Sequence, residues 1–165
     1  LMKRSLIAAL ILALVMLNLA GCGKEISRDE NTAKQYITAQ GYKITSSKGE
    51  VSSYILDKGK LIGSTESTPY RQAWGVQKAQ PDAFFGKRIT IYRFTVSNHP
   101  LEQKYKSKTN VYIMLCEGRM IGGYSFPDIA GLLGAPYSLN GLTLEEVTGL
   151  GYQEWLRHWE KKYGD

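Results

Sequence analysis

Residues 88–98 read RITIYRFTVSN, and this stretch decides the fold class. In an extended chain Ile89 and Ile91 point to one side, and Tyr92, Phe94 and Val96 to the other. The run therefore reads as a strand in which both faces have something to bury. His99-Pro100 ends it. Residues 101–110 read as a polar, lysine-rich loop. Residues 111–116 form a second strand, Glu117-Gly118 is a two-residue turn, and 119–126 return as a β-hairpin. The pair Gly122-Gly123 in the return strand marks a bulge or a close backbone approach.

Working back from this hairpin, residues 81–87 (PDAFFGK) form a loop whose two phenylalanines tuck inward. Residues 61–74 are the least legible, either a short strand or a loop with a helical turn near 70–77. Residues 51–56 read as a strand, joined by a turn at 46–49 to an earlier strand around Lys43. Before it, Ser27 and Glu30 have the spacing of a capping box, where each side chain satisfies an exposed amide at a helix start. Ala33, Tyr36, Ile37 and Gln40 follow at helical spacing, and Gly41 is a natural stop. Downstream, residues 128–140 are punctuated by Gly and Pro, with Ile129, Leu132 and Leu133 as candidates for burial. Thr143 and Glu146 repeat the capping-box spacing. Gly149 and Gly151 break the next pattern. Tyr152, Trp155, Leu156 and Trp159 then form one face of a terminal helix. The order predicts an α+β domain: an antiparallel β-sheet with the N-terminal and C-terminal helices packed on one face.

The first 22 residues set the expected address. Lys3 and Arg4 precede an apolar run from Ser5 to Leu19. The run is short for a membrane span, which takes about 20 apolar residues, and it fits the apolar region of a secretory signal. Leu19-Ala20-Gly21-Cys22 follows and resembles the lipobox of bacterial lipoproteins. The resemblance implies that the Cys22 thiol takes a lipid and becomes the first residue of the mature chain. The expected layout is a signal over 1–21, a tether over 22–29 and one α+β domain over 30–165. It places the domain at the extracytoplasmic face of the cell membrane, anchored there by lipid. A lipidated Cys22 leaves Cys116 without a partner for a disulfide, and Cys116 in NVYIMLCEG reads as a small buried hydrophobe.

A further resemblance covers residues 31–123. It rests on AKQYI followed by GY, on YRQAWGVQKAQ, on FGKRITIYRFTVSNHP and on GRMIGG. This arrangement resembles an uncharacterised family of small Gram-positive lipoproteins called domain of unknown function 4830. That family usually has Trp after the first glycine, where this chain has Tyr42. The resemblance implies a compact exported domain and no catalytic residues.

The net charge is +6, and +4 without Lys3 and Arg4. This modest excess favours an anionic membrane or envelope polymer. Nucleic acid is not an expected partner, because the basic residues do not gather on one helix or interleave with stacking aromatics. No cofactor or metal is expected. The two histidines, His99 and His158, lack metal spacing, and neither Gly59-Lys60 nor Gly86-Lys87 belongs to a phosphate loop. Glu145-Glu146 is explained by capping and the helix dipole. What remains is surface. Tyr70, Trp74, Phe84 and Phe85 crowd a region of weak secondary structure. Lys104, Lys106 and Lys108 alternate around Tyr105 and share one side if that segment is extended. These eight residues are the candidate binding surface, for a protein or an anionic envelope polymer. The chain reads as a non-catalytic binding module. The alternative is a lipid-anchored hydrolase assembled from a serine, His99 or His158, and an acid.

Overall fold

The computed structural model describes residues 26–164. Cys22 and the signal lie outside the described residues. Five strands form one antiparallel sheet in chain order: β1 (Lys43–Ile55), β2 (Arg88–Ser97), β3 (Thr109–Cys116), β4 (Arg119–Pro127) and β5 (Tyr137–Ser138). The helices are α1 (Arg28–Ala39), α2 (Thr68–Gly75), α3 (Pro100–Tyr105), α4 (Leu144–Thr148) and α5 (Tyr152–Tyr163). The mixed α+β class read from the sequence is therefore present.

The two terminal helices do not share a face, and here the expectation is corrected. Ala33 and Ile37 of α1 pack with Tyr92, Phe94, Val96, Val111, Ile113 and Leu115. Trp155, Trp159 and Tyr163 of α5 pack with Ile89, Ile91, Met114 and Cys116. Along β2 and β3 these two sets alternate, so they lie on opposite sides of the sheet. Apolar side chains on both faces of the central strands need cover on both faces, and one helix serves each.

α1 starts at Arg28, within the span read as tether. The Ser27 hydroxyl accepts from the Glu30 amide at 3.1 Å. The Glu30 carboxylate accepts from the Ser47 hydroxyl at 2.7 Å and pairs with Lys34 at 3.2 Å. This joins the first helix to β1.

Residues 43–55 are one strand, where the sequence suggested two strands and a turn. The ladder to β2 shifts register three times, between Ile44 and Ser46, Ser47 and Gly49, and Glu50 and Ser52. The turn-forming residues are absorbed as bulges, because β2 offers a continuous partner that outweighs local turn preference. Gly49 takes φ +70°, and its amide donates to the Ser47 hydroxyl at 3.2 Å.

The hairpin stands as read. Glu117 and Gly118 take φ 52° and 73°, the two left-handed positions of the turn that suits strand twist. Beyond it, the register shifts between Met114 and Leu115, where Ile121 is the extra residue and Gly122-Gly123 follow it in register.

Residues 100–105 form α3, where a loop was expected. Pro100 occupies the first turn, and the His99 ring nitrogen Nδ1 accepts from the Leu101 amide at 3.2 Å. Proline pre-sets the helical φ, and a histidine cap is a rarer start signal than Ser or Asp. The second capping box is present, with the Thr143 hydroxyl and the Glu146 carboxylate each accepting the other residue's amide. The break lies where the glycines place it: Gly149 ends α4 at φ 74°, and Gly151 caps α5.

Candidate functional site

The eight surface candidates separate. Trp74 is 1% exposed, so it is a core residue and not part of a binding surface; its Nε1 donates to the Tyr54 hydroxyl at 3.1 Å. Burial pushes the Tyr54 phenol up to about 12. Tyr70 lies edge-on to Tyr54, Phe84 against Trp74, and Phe85 against Tyr163. These aromatics close the rim of the core, as the expected inward-facing loop requires. Lys104, Tyr105, Lys106 and Lys108 sit elsewhere. Phe85 precedes β2 and α3 follows it, so the length of β2 divides the two groups, about 30 Å at 3.3 Å per residue. The three lysines also do not line up on an extended segment. Tyr105 ends α3 and Lys106 takes a left-handed φ of 54°. One predicted surface is thus two unrelated places.

Tyr105 belongs to a cleft that sequence reasoning missed. It has a volume of about 590 Å³ and lies between α2, α4, α5 and the 128–136 loop. Val76, Leu132, Leu133, Leu144, Tyr152 and Trp155 supply most of its apolar wall, with Phe126 of β4 as the floor. The 128–136 loop is held at both ends by the segment that carries the lysines. The Asp128 amide donates to the Lys108 carbonyl at 2.8 Å, and the Ser107 hydroxyl donates to the Asp128 carbonyl at 2.8 Å. At the other end the Tyr137 hydroxyl is hydrogen-bonded to that of Tyr105. Between these ties Leu133 is 93% exposed and Ile129 is exposed as well, which corrects the expectation that both are buried. Glycines at 131 and 134 take φ 74° and 155°, carrying the chain outward rather than back over the core. The available signal was the density of Leu, Ile and Gly without helical or strand period.

A neighbouring cavity of about 440 Å³ shares Val76 with the first. Gln77 lies in its wall and spans two elements. Its side-chain carbonyl accepts from the Gly123 amide at 3.0 Å, and its NH₂ donates to the Ala73 carbonyl at 3.0 Å. A side chain here bonds the β4 backbone two residues beyond the bulged Ile121.

His99 has no catalytic arrangement. It is 2% exposed, and both ring nitrogens meet backbone groups. Nδ1 accepts from Leu101, so Nε2 carries the hydrogen and donates to the Leu139 carbonyl at 2.8 Å. The Tyr42 ring lies 4.7 Å away. Burial holds the His99 pKa below the ordinary 6.5, against a smaller opposing effect of the Leu139 carbonyl and Glu102. The unfolded chain therefore takes up this proton first. His99 should contribute constant stability above pH 6.5, which is then lost as pH falls through 6.5 toward the depressed folded value. His99→Asn keeps an acceptor for the cap and removes the titration. Urea midpoints of the two chains, compared from pH 7.5 to 5, should diverge only below about 6.5. Parallel curves would show that His99 is not buried neutral.

His158 is exposed on α5. Cys116 is buried, and burial raises its thiol pKa, which disfavours the reactive thiolate. Among the described residues no group of three or more His, Cys, Asp or Glu is placed to hold a metal ion. Among those residues no helix is long and apolar enough to cross a membrane.

Compared with known proteins, the chain matches no family model, no curated protein and no solved structure.

Proposed function

We propose that this chain is a membrane-anchored extracytoplasmic lipoprotein that acts as a non-catalytic binding module, with its ligand seated in the cleft beside α5. The carrying observation is the cleft itself: about 590 Å³, walled by apolar side chains and carrying an almost fully exposed Leu133 on the loop that borders it. Its size falls within the range of small-molecule sites, about 300–1,000 Å³. A leucine held in water on an anchored loop gains when a ligand covers it.

The lipobox-like Leu19-Ala20-Gly21-Cys22 behind an apolar run supports the address. Asp29, at the start of α1, lies beside Gly118 at the hairpin tip. The 128–136 loop leaves from the other end of β3 and β4, roughly 25 Å away along the strands. A tether entering near the hairpin would leave the cleft at the far end, open to the extracytoplasmic space.

The test uses the full chain produced in a bacterium. It should fractionate with membranes, and Cys22→Ser should abolish its acyl mass increment. The detergent-extracted chain should bind the neutral apolar probe N-phenyl-1-naphthylamine at one saturable site. Leu144→Glu, which puts a charge into the cleft wall, should weaken that site at least tenfold, since an unpaired charge buried against a ligand costs more than about 1.4 kcal/mol. Unchanged probe binding in Leu144→Glu would sink the cleft reading, and an unacylated chain would sink the anchor.

A further inference from the structure

At the mouth of the cleft stands a polar cluster that holds more donors than the fold uses. The Lys104 ammonium lies 3.4 Å from the Tyr137 hydroxyl. It also sits 5.2 Å and 5.5 Å from the ring centroids of Tyr137 and Tyr105. The two phenols are hydrogen-bonded to each other, and both line the cleft. An ammonium carries three donor hydrogens and each phenol one. The two bonds inside the cluster use one hydrogen each, which leaves two ammonium hydrogens and one phenol hydrogen. Among the described residues Lys104 makes no ion pair. The acid whose charge acts on it is Glu146, whose carboxylate already accepts from the Thr143 amide at 2.7 Å. Glu145 of α4 also borders the cleft. Surplus donors gathered at one end of an apolar trough call for an acceptor that is attached to something apolar.

We propose that the cleft binds a single-chain anionic amphiphile, with its tail against Val76, Leu144 and Trp155 and its head on Lys104 Nζ and the one phenol hydrogen that the Tyr105–Tyr137 bond leaves free. The proposal rests on the reading of the cleft as a ligand site and names its ligand class. The head is a carboxylate or a phosphate, since either accepts several charge-assisted hydrogen bonds. Leu133 lies over the tail and loses its exposure to water when the site is filled. Lys106 and Lys108, both exposed and next to the loop, add long-range attraction for the same charge.

The experiment displaces N-phenyl-1-naphthylamine from the full chain with dodecanoate, dodecyl phosphate, dodecanol and dodecylammonium, all below their micelle concentrations. At least one anion should displace the probe about tenfold more tightly than dodecanol, as hydrogen bonds to a charged group predict. The stronger of the two anions identifies the head. Dodecylammonium should be the weakest of the four. Lys104→Gln alters an exposed side chain and should bring the anion into line with dodecanol, whose own displacement should fall by much less than the anion's. Tyr137→Phe should lower the anion preference in part. Leu133→Ser should weaken every ligand by roughly tenfold, the low end of what burying a leucine contributes. Equal displacement by anions and alcohol, or an anion preference that survives Lys104→Gln, overturns the head-group assignment while the cleft reading stands. A probe that does not seat at all overturns both.

Discussion

Trp159→Ala should lower the unfolding free energy by about 3–5 kcal/mol, the range for truncating a large buried aromatic. Trp159 is 8% exposed, with ring centroids 5.0 Å from Trp155 and 4.6 Å from Tyr163. Its Nε1 donates to the Leu61 carbonyl at 2.9 Å, a bond across 98 positions of sequence. Truncation removes the apolar contacts that hold α5 to the sheet and also strands the Leu61 carbonyl. Trp159→Phe separates these effects. It keeps a ring and loses the donor, so it should cost about 1–3 kcal/mol through the unsatisfied carbonyl. Urea unfolding with a constant slope reads both values. A loss below 1 kcal/mol in the alanine variant would mean that α5 is not docked as described. The same assay tests the two-faced architecture. Ile37 lies under α1 on the opposite side of the sheet from Trp159. Ile37→Val and Trp159→Phe should therefore add within about 0.5 kcal/mol. A larger coupling would place the two helices in one contact network.

Gly123→Ala should be among the most damaging glycine-to-alanine changes in the described residues, at or beyond the upper end of the about 1–3 kcal/mol usual for overpacking. A β-carbon there would stand 2.2 Å from the Tyr112 carbonyl oxygen and 3.0 Å from the Leu139 side chain. The first obstacle is backbone in a paired central strand, which cannot yield without disturbing the ladder. Gly122→Ala meets the end of the Gln77 side chain, with Oε1 at 1.7 Å. A side chain can swing away, at the cost of the bond that Gln77 offers to the Gly123 amide. Gly131→Ala meets nothing within 4 Å and pays only for its φ of +74°, about 1 kcal/mol. Thermal midpoints should fall in that order, Gly123 most and Gly131 least. A Gly123→Ala protein as stable as Gly131→Ala would refute the close strand approach at the bulge.

Much of the local structure was legible. The hairpin at Glu117-Gly118 needs two left-handed residues, and the spacing of the flanking apolar runs sets its length. The Thr143 capping box, the glycine break and the α5 aromatic stripe are all contained within a few residues. The errors have a common form. Ser46 to Gly49 carry turn chemistry, yet a neighbouring strand turned them into bulges. The lysine-rich stretch after His99 looked like loop, yet Pro100 and an uncommon histidine cap started a helix. Tyr70, Trp74, Phe84 and Phe85 were grouped as a candidate surface because their local pattern was weak, although the two phenylalanines also read as tucked inward. Their burial depends on α5, whose aromatics are found some eighty positions later.

The candidate site shows the same division more sharply. Lys104 and Tyr105 were recognised as surface residues, but Tyr137 and the cleft were not. Tyr137 reaches Tyr105 only because β5 pairs with β4 and closes the 128–136 loop onto α3. No periodicity along the chain records that closure.

The amino-acid sequence by itself determined the alternation of the central strands, the turn between β3 and β4, the helix caps and the amphipathic face of α5. Each depends on bonds or steric limits that span no more than a few residues, so each is written locally. Only the tertiary structure decided that α1 and α5 cover opposite faces, that the aromatic candidates divide between core and cleft, and that Leu133 stands in water. These outcomes follow from contacts between distant segments, where the preference for burying apolar area is non-directional and many pairings satisfy it equally well until the whole sheet is assembled.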